Sequence, residues 1–138
     1  MEFHKQVLDI DPQKVTQELV EMLRTTVRKK LRRYGGVVGI SGGVDSSVVL
    51  ALCAEAFGPK RVAALMLPEK DSDPDSETLA REVAQHYGVE PILEDITATL
   101  DGFGCYPRRD EAITRVFPEY DAASGFTAKI VLPQNLLD

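Results

Sequence analysis

Apolar positions along the chain change period several times, and each change marks an element. Val15, Leu19, Met22, Leu23, Val27 and Leu31 recur at spacings of three and four, one stripe of an amphipathic helix. Asp11-Pro12 starts it, since aspartate caps free N–H groups and proline suits the first helical position. Gly35-Gly36 stops it after Tyr34. Val37-Val38-Gly39-Ile40 is a short, mostly β-branched run, read as a buried strand. Ser41-Gly42-Gly43-Val44-Asp45-Ser46-Ser47 turns the chain. Val48 to Phe57 is apolar nearly all round, as a helix packed on a sheet should be, and Gly58-Pro59 ends it.

The pattern then repeats. Val62 to Leu67 reads as a second strand closed by Pro68, and an acidic loop runs from Glu69 to Ser76. Leu79, Val83 and Tyr87 mark a second amphipathic helix ending at Gly88. Val89 to Leu93 or Ile96 is a third strand, shortened or bulged by Pro91. This alternation predicts an α/β fold, an open, mostly parallel sheet with helices on both faces. After Ile96 the period fades. Thr97 to Phe103 reads as a helical turn, Arg108 to Val116 as a short helix and Lys129 to Leu132 as a fourth strand, with long loops between. The expected organisation is one domain over 1–138: a lead-in helix (1–34), a βαβαβ core (35–96) and an irregular insertion (97–138). The ending at Asn135-Leu136-Leu137-Asp138 reads as a cut, so a truncated fold is expected.

Composition narrows the function classes. With 138 residues, 43% hydrophobic and 28% charged, the chain has enough apolar material for one packed core. No apolar run approaches the roughly 18 residues of a membrane span, and Met1 to Lys5 lacks a signal-peptide pattern. Cys53 and Cys105, 52 positions apart, suit neither a disulfide scaffold nor a metal site, which leads to a cytoplasmic expectation. A net charge of −6 argues against a general nucleic-acid binder. Residues 1–36 nevertheless hold 8 basic against 5 acidic side chains, concentrated in Arg24, Arg28, Lys29, Lys30, Arg32 and Arg33. That stretch is either a solvated helix face or a surface that draws in an anion.

The candidate chemistry lies at residues 39–47. A strand reaches the edge of the sheet where parallel sheets bind ligands, two glycines let the backbone turn tightly, and a helix begins at once. Free N–H groups and the positive end of the helix dipole then face one point, a phosphate cradle that needs no lysine. A Cβ at Gly42 is expected to occupy the space of the approaching anion. The hydroxyls of Ser41, Ser46 and Ser47 are expected to donate to phosphate oxygens. Asp45 has two readings. It caps the helix, or it binds Mg²⁺ that lies between carboxylate and phosphates.

The loop is neither a Walker A motif nor a G-x-G-x-x-G fingerprint. Ser-Gly-Gly-Val-Asp-Ser-Ser instead resembles the pyrophosphate loop of the ATP pyrophosphatases, which include NAD synthases, GMP synthases, asparagine synthases and tRNA-thiolating enzymes. The resemblance implies a Rossmann-like fold of the adenine nucleotide alpha hydrolase type. It also implies cleavage of ATP between its α and β phosphates, adenylation of a substrate oxygen, and displacement of AMP by a nucleophile. Leu65 to Ser76, and Leu79-Ala80 leading to His86-Tyr87-Gly88, are similar to NAD synthases, N-terminal portion only. That likeness implies a ligase acting on ATP, deamido-NAD and ammonia, with a homodimer as the assembly and neither nucleic acid nor membrane as partner.

Carried over residue by residue, Gly39, Ile40, Ser41, Gly42, Gly43, Val44, Asp45, Ser46 and Ser47 hold ATP phosphates, and Asp45 binds Mg²⁺. Leu65, Met66 and Leu67 lie beside adenine, with Met66 or Leu67 covering its face, although a Met at such a position is more often plain core. The acidic loop 69–76 lies near the site or is a solvated connection. Arg108 and Arg109 contact phosphate or are surface charges. The family's Gly-Thr-x-Asn-Lys-type segment, second acidic Mg²⁺ ligand and Lys-Tyr-Gly-Asp-like stretch are not found in the chain. The alternatives are another ATP pyrophosphatase (GMP synthase-like or tRNA-thiolating) and a non-catalytic nucleotide-binding module.

Overall fold

A computed structural model describes residues 9–124. Helix α1 (Pro12–Thr25) starts as expected, with the Asp11 carboxylate accepting the N–H groups of Gln13 and Lys14 at 3.1 and 3.2 Å. It stops short of Tyr34. Thr26–Lys30 widens into a π-helical turn, and Arg32 takes a left-handed backbone at φ 53°. Packing accounts for this: Val20 is buried and Leu23 and Val27 lie against the core, whereas Leu31 is exposed. Without a buried face the last predicted turn has little to hold it.

Three parallel strands follow in the spatial order β1, β2, β3: Gly36–Gly39, Val62–Met66 and Pro91–Leu93. The crossovers are α2 (Val44–Phe57) and α3 (Pro74–His86). The open parallel α/β sheet anticipated from the periodicity is the fold observed, but among the described residues α1, α2 and α3 pack on one face rather than on both. Pro91 sits at the first position of β3, where its missing N–H does least harm, and the strand is short. Helix α3 begins inside the expected acidic loop, because Asp73 caps it by accepting the Asp75 N–H at 3.0 Å. Asp75 and Glu77 in its first turn suit the positive dipole end.

Alternation along β2 separates the two faces of the sheet. Val62, Ala64 and Met66 are buried, as is Val38 of β1, in one core with Leu50 and Phe57 of α2 and Ala80 and Ala84 of α3. Register places Val37 beside Ala63, and Leu65 beside Ile92, on the other face. Val37 and Ile92 are exposed there, so that face is apolar and uncovered among the described residues. No helix among those residues is long and apolar enough to cross a membrane.

Arg24 ties α1 to this core. Its Nε donates to Ala56 O at 3.0 Å and its Nη2 to Glu55 O at 2.9 Å. Those carbonyls lie in the last turn of α2, where the helix lacks partners of its own and a cation meets the negative dipole end. One member of the basic stretch is therefore a helix clamp.

The chain divides into two compact units, the first running to Pro68 and including Ser72–Asp95, the second comprising Glu69–Asp71 and the chain from Ile96. The described part of the second unit is more helical than the expected irregular insertion. It contains α4 (Thr97–Gly102) and α5 (Cys105–Val116). Pro107 falls in the first turn of α5, where no intrahelical hydrogen bond is lost. Tyr106 is buried, its hydroxyl donating to Glu69 at 2.9 Å while the Lys70 ammonium lies 3.7 Å from the ring centroid. Burial first, then Glu69, pushes its phenol above the usual range. The strand expected at Lys129 to Leu132 lies outside the described residues.

Arg24→Ala is expected to lower the unfolding free energy by about 1–2 kcal/mol, whereas Arg28→Ala on the same helical segment changes it by less than about 0.5 kcal/mol. Urea unfolding of the two variants checks the difference.

Candidate functional site

β1 delivers the chain firmly to the sheet edge. The Ile40 N–H still donates to Leu65 O at 2.8 Å, and the Ile40 side chain is buried. The turn is completed by Ser41, Gly42 and Gly43, because α2 starts at Val44 rather than at the expected Val48. Gly43 is the N-cap and has no side chain to cap with. The first amide to find a helical partner is Ser47 N–H, bonded to Gly43 O at 3.1 Å. The N–H groups of Val44, Asp45 and Ser46 are left without a partner among the described residues. Gly43, Val44 and Asp45 are exposed, so this turn is open to solvent.

The serines do something other than expected. Ser46 Oγ accepts Ser41 N–H at 3.2 Å and donates to Gly43 O at 3.0 Å. Ser47 Oγ donates to the same carbonyl at 2.8 Å, and Ser41 Oγ lies 3.3 Å from Ser46 Oγ and 3.4 Å from Gly43 N. These hydroxyls are turned into the loop and brace it. The donors left facing outward belong to the main chain.

Gly42 also has a different reason for being glycine. Its φ is +76°, and a Cβ there would lie 2.6 Å from Leu79 Cβ and 3.0 Å from Ser76 O, both in α3. The space it keeps free is filled by the neighbouring helix, not reserved for an anion. A Cβ at Gly39 would meet nothing within 4 Å.

Asp45 is exposed at the second position of α2, behind the cap, so the capping reading falls. Its carboxylate has no hydrogen-bond partner or ion pair among the described residues. Nor do those residues contain a cluster of three His, Cys, Asp or Glu side chains able to hold a metal. Mg²⁺ commonly takes one or two carboxylates and completes its shell with phosphate oxygens and water, so a lone exposed carboxylate beside free amides fits it.

At the end of β2 the expected adenine contacts separate. Met66 is core at 2% exposure, which removes its side chain from any base, whereas Leu67 is exposed. The carbonyls of Leu65 and Met66 serve the sheet, accepting Ile40 N–H and Glu94 N–H. A cavity of about 980 Å³ lies along α1 and α2, bordered by Val20, Val48 and Leu52; of the loop only Val44 and Ser47 reach it. It is an apolar groove beside the turn. Cys53 is buried, which raises its thiol pKa and keeps it out of chemistry. Arg109 pairs with Asp71 and Asp110, a contact across nearly forty positions that no local pattern announces.

The same chain segments match a known family. Residues 15–115 fit the family model described as NAD synthase. The chain belongs to the NAD synthase family. The NH(3)-dependent NAD(+) synthetase of Rhizobium rhizogenes is 45% identical over 129 residues, covering 94% of this chain and 38% of that protein. Among solved structures, NMN synthetase from Francisella tularensis superposes with a TM-score of 0.65 at 26% identity, covering 73% of this chain and 41% of that one. NH3-dependent NAD synthetase from Campylobacter jejuni gives 0.62 at 30% identity, with 68% and 40% covered. The chain spans about two fifths of the length of the curated NAD synthase relatives it matches.

Gly42→Ala is expected to cost about 2–4 kcal/mol of stability, from a collision with α3 and an unfavourable left-handed backbone. Gly39→Ala, with open space at its Cβ, is expected to stay within about 0.5 kcal/mol. Equal denaturation midpoints for the two would refute the packing role of Gly42.

Proposed function

We propose that the chain is the ATP-binding part of an ammonia-dependent NAD synthase, a ligase that amidates the nicotinate carboxylate of deamido-NAD. The observation that carries this reading is the set of N–H groups at Val44, Asp45 and Ser46 left without a partner among the described residues, at the carboxyl edge of a parallel sheet. Three donors fixed on one helical turn suit the β and γ phosphates of ATP. They need no rearrangement as charge grows on departing pyrophosphate, which is how preorganised dipoles lower a barrier.

In the first step a carboxylate oxygen attacks the α phosphorus, and the bond to the bridging oxygen breaks to release pyrophosphate. Ammonia then attacks the acyl carbon, AMP departs with the C–O electron pair, and a proton is lost to solvent. The loop's amides hold the phosphates while Ser41, Ser46 and Ser47 keep the loop's shape. Asp45 is the side chain that would hold Mg²⁺, which when bound would supply positive charge to offset that of the phosphates. Leu67, exposed beyond β2, is the side chain left to flank adenine. The enzyme works in the cytoplasm as a homodimer, in keeping with the resemblance on which the substrates also rest. The likeness to an NMN synthetase supports a second reading, in which the acid amidated is a mononucleotide.

Full-length protein incubated with ATP, Mg²⁺, ammonia and deamido-NAD is expected to give AMP, pyrophosphate and NAD. Faster turnover of nicotinate mononucleotide would select the second reading, and ADP in place of AMP would refute both. Asp45→Asn is expected to reduce turnover by about a hundredfold or more with an unchanged circular dichroism spectrum. Turnover within a few-fold of the parent would remove the metal role.

A further inference from the structure

Arg24 apart, the basic stretch has no role in the core or in the phosphate loop. Arg28, Arg32, Arg33 and Tyr34 converge with Arg61 around a cavity of about 550 Å³. Sheet register explains the convergence. Gly36 of β1 lies beside Val62 of β2, so the residues just before each strand meet at the amino edge of the sheet. Gly35 permits the approach, since a Cβ there would lie on top of the Arg61 carbonyl group.

The backbone that presents these arginines is fixed. Leu31 N–H donates to Thr26 O and Arg33 N–H to Val27 O, both at 2.9 Å, and Arg32 is the one non-glycine residue with positive φ among the described residues. A π-helical turn of this kind often accompanies a functional position. Yet no carboxylate lines the cavity, and none of the four guanidinium groups has an acidic partner among the described residues. Arg33 touches only the Arg32 carbonyl. Guanidinium groups cannot relieve mutual repulsion by losing a proton, so four of them around one hollow favour an anion carrying several charges.

We propose that this pocket is a binding site for a chain of phosphates, inorganic or carried by a nucleotide. Arginine forks match phosphate oxygens in pairs, and the volume suits a small ligand. Tyr34, 78% exposed at the rim, offers a face on which a base can stack. A net charge of −6 favours a small ligand over a nucleic acid. The site is separate from the loop at Ser41 to Ser46. The six residues between Tyr34 and Ser41 include all of β1 and span roughly 20 Å when extended, so the two lie at opposite edges of the sheet. The proposal does not depend on the ligase reading.

The test titrates the ¹⁵N-labelled full chain with inorganic tripolyphosphate and follows the arginine Nε–H resonances. Those of Arg28, Arg32, Arg33 and Arg61 are expected to shift together and saturate, with affinity falling as salt is raised. Arg28→Gln combined with Arg61→Gln is expected to weaken this binding at least about tenfold at an unchanged unfolding midpoint. If that pair fails to fold, Arg28→Lys with Arg61→Lys keeps the charge but loses the fork, and is expected to give a smaller loss. UTP separates the sources: Tyr34→Ala weakens UTP alone if a nucleotide is the ligand, and leaves both unchanged if the ligand is inorganic. Unshifted arginine signals, unchanged affinity in the folded double variant, or tighter binding of a single-stranded RNA than of tripolyphosphate would each overturn the proposal.

Discussion

The opening turn of α2 presents three N–H groups that nothing in the described chain satisfies, and the architecture around it keeps them so. A side-chain cap would have consumed one of these donors; Gly43 at the N-cap leaves them free. Ladder bonding carried to Ile40 fixes where the strand ends, and close packing of Gly42 on α3 fixes how sharply the chain turns. Ser46 and Ser47 then lock the Gly43 carbonyl from within. Each of these contacts spends local polarity or space on holding the turn still while its donors remain unused. On the proposed reading, donors held open in this way are ready for an anion without any rearrangement of the turn.

The periodicity of the chain made most of the first unit legible. Strand and helix order, the parallel sheet, the Asp11 cap and the burial of Cys53 all follow from local pattern. Leu31 continues the stripe in spacing but finds no partner to bury against, so the end of α1 was not readable from spacing alone. The early start of α2 was hidden for a similar reason: its first turn has the composition of a loop but the conformation of a helix. Gly42 and the serines were singled out correctly as part of the turn, but their tasks depend on α3 and on hydroxyl directions. Sequence carries neither. Met66 resolved to core because strand alternation points it toward the helices.

The two edges of the sheet thus have different electrostatic characters. At the carboxyl edge, the unpaired main-chain N–H groups of the α2 turn give a positive character that is partial and strongly directional, with the exposed Asp45 carboxylate beside them. At the amino edge, whole positive charges gather with no carboxylate among the described residues lining the hollow. Between them lies a sheet face on which Val37 and Ile92 are open, in a chain that spans about two fifths of its curated NAD synthase relatives.

Amide resonances of the first α2 turn report whether these donors take an anion. Addition of pyrophosphate to ¹⁵N-labelled chain should move the backbone N–H signals of Val44, Asp45 and Ser46 downfield in a saturable way, as new hydrogen bonds form. Movement confined to other residues, with these three unchanged at saturation, would show that the turn does not bind the anion.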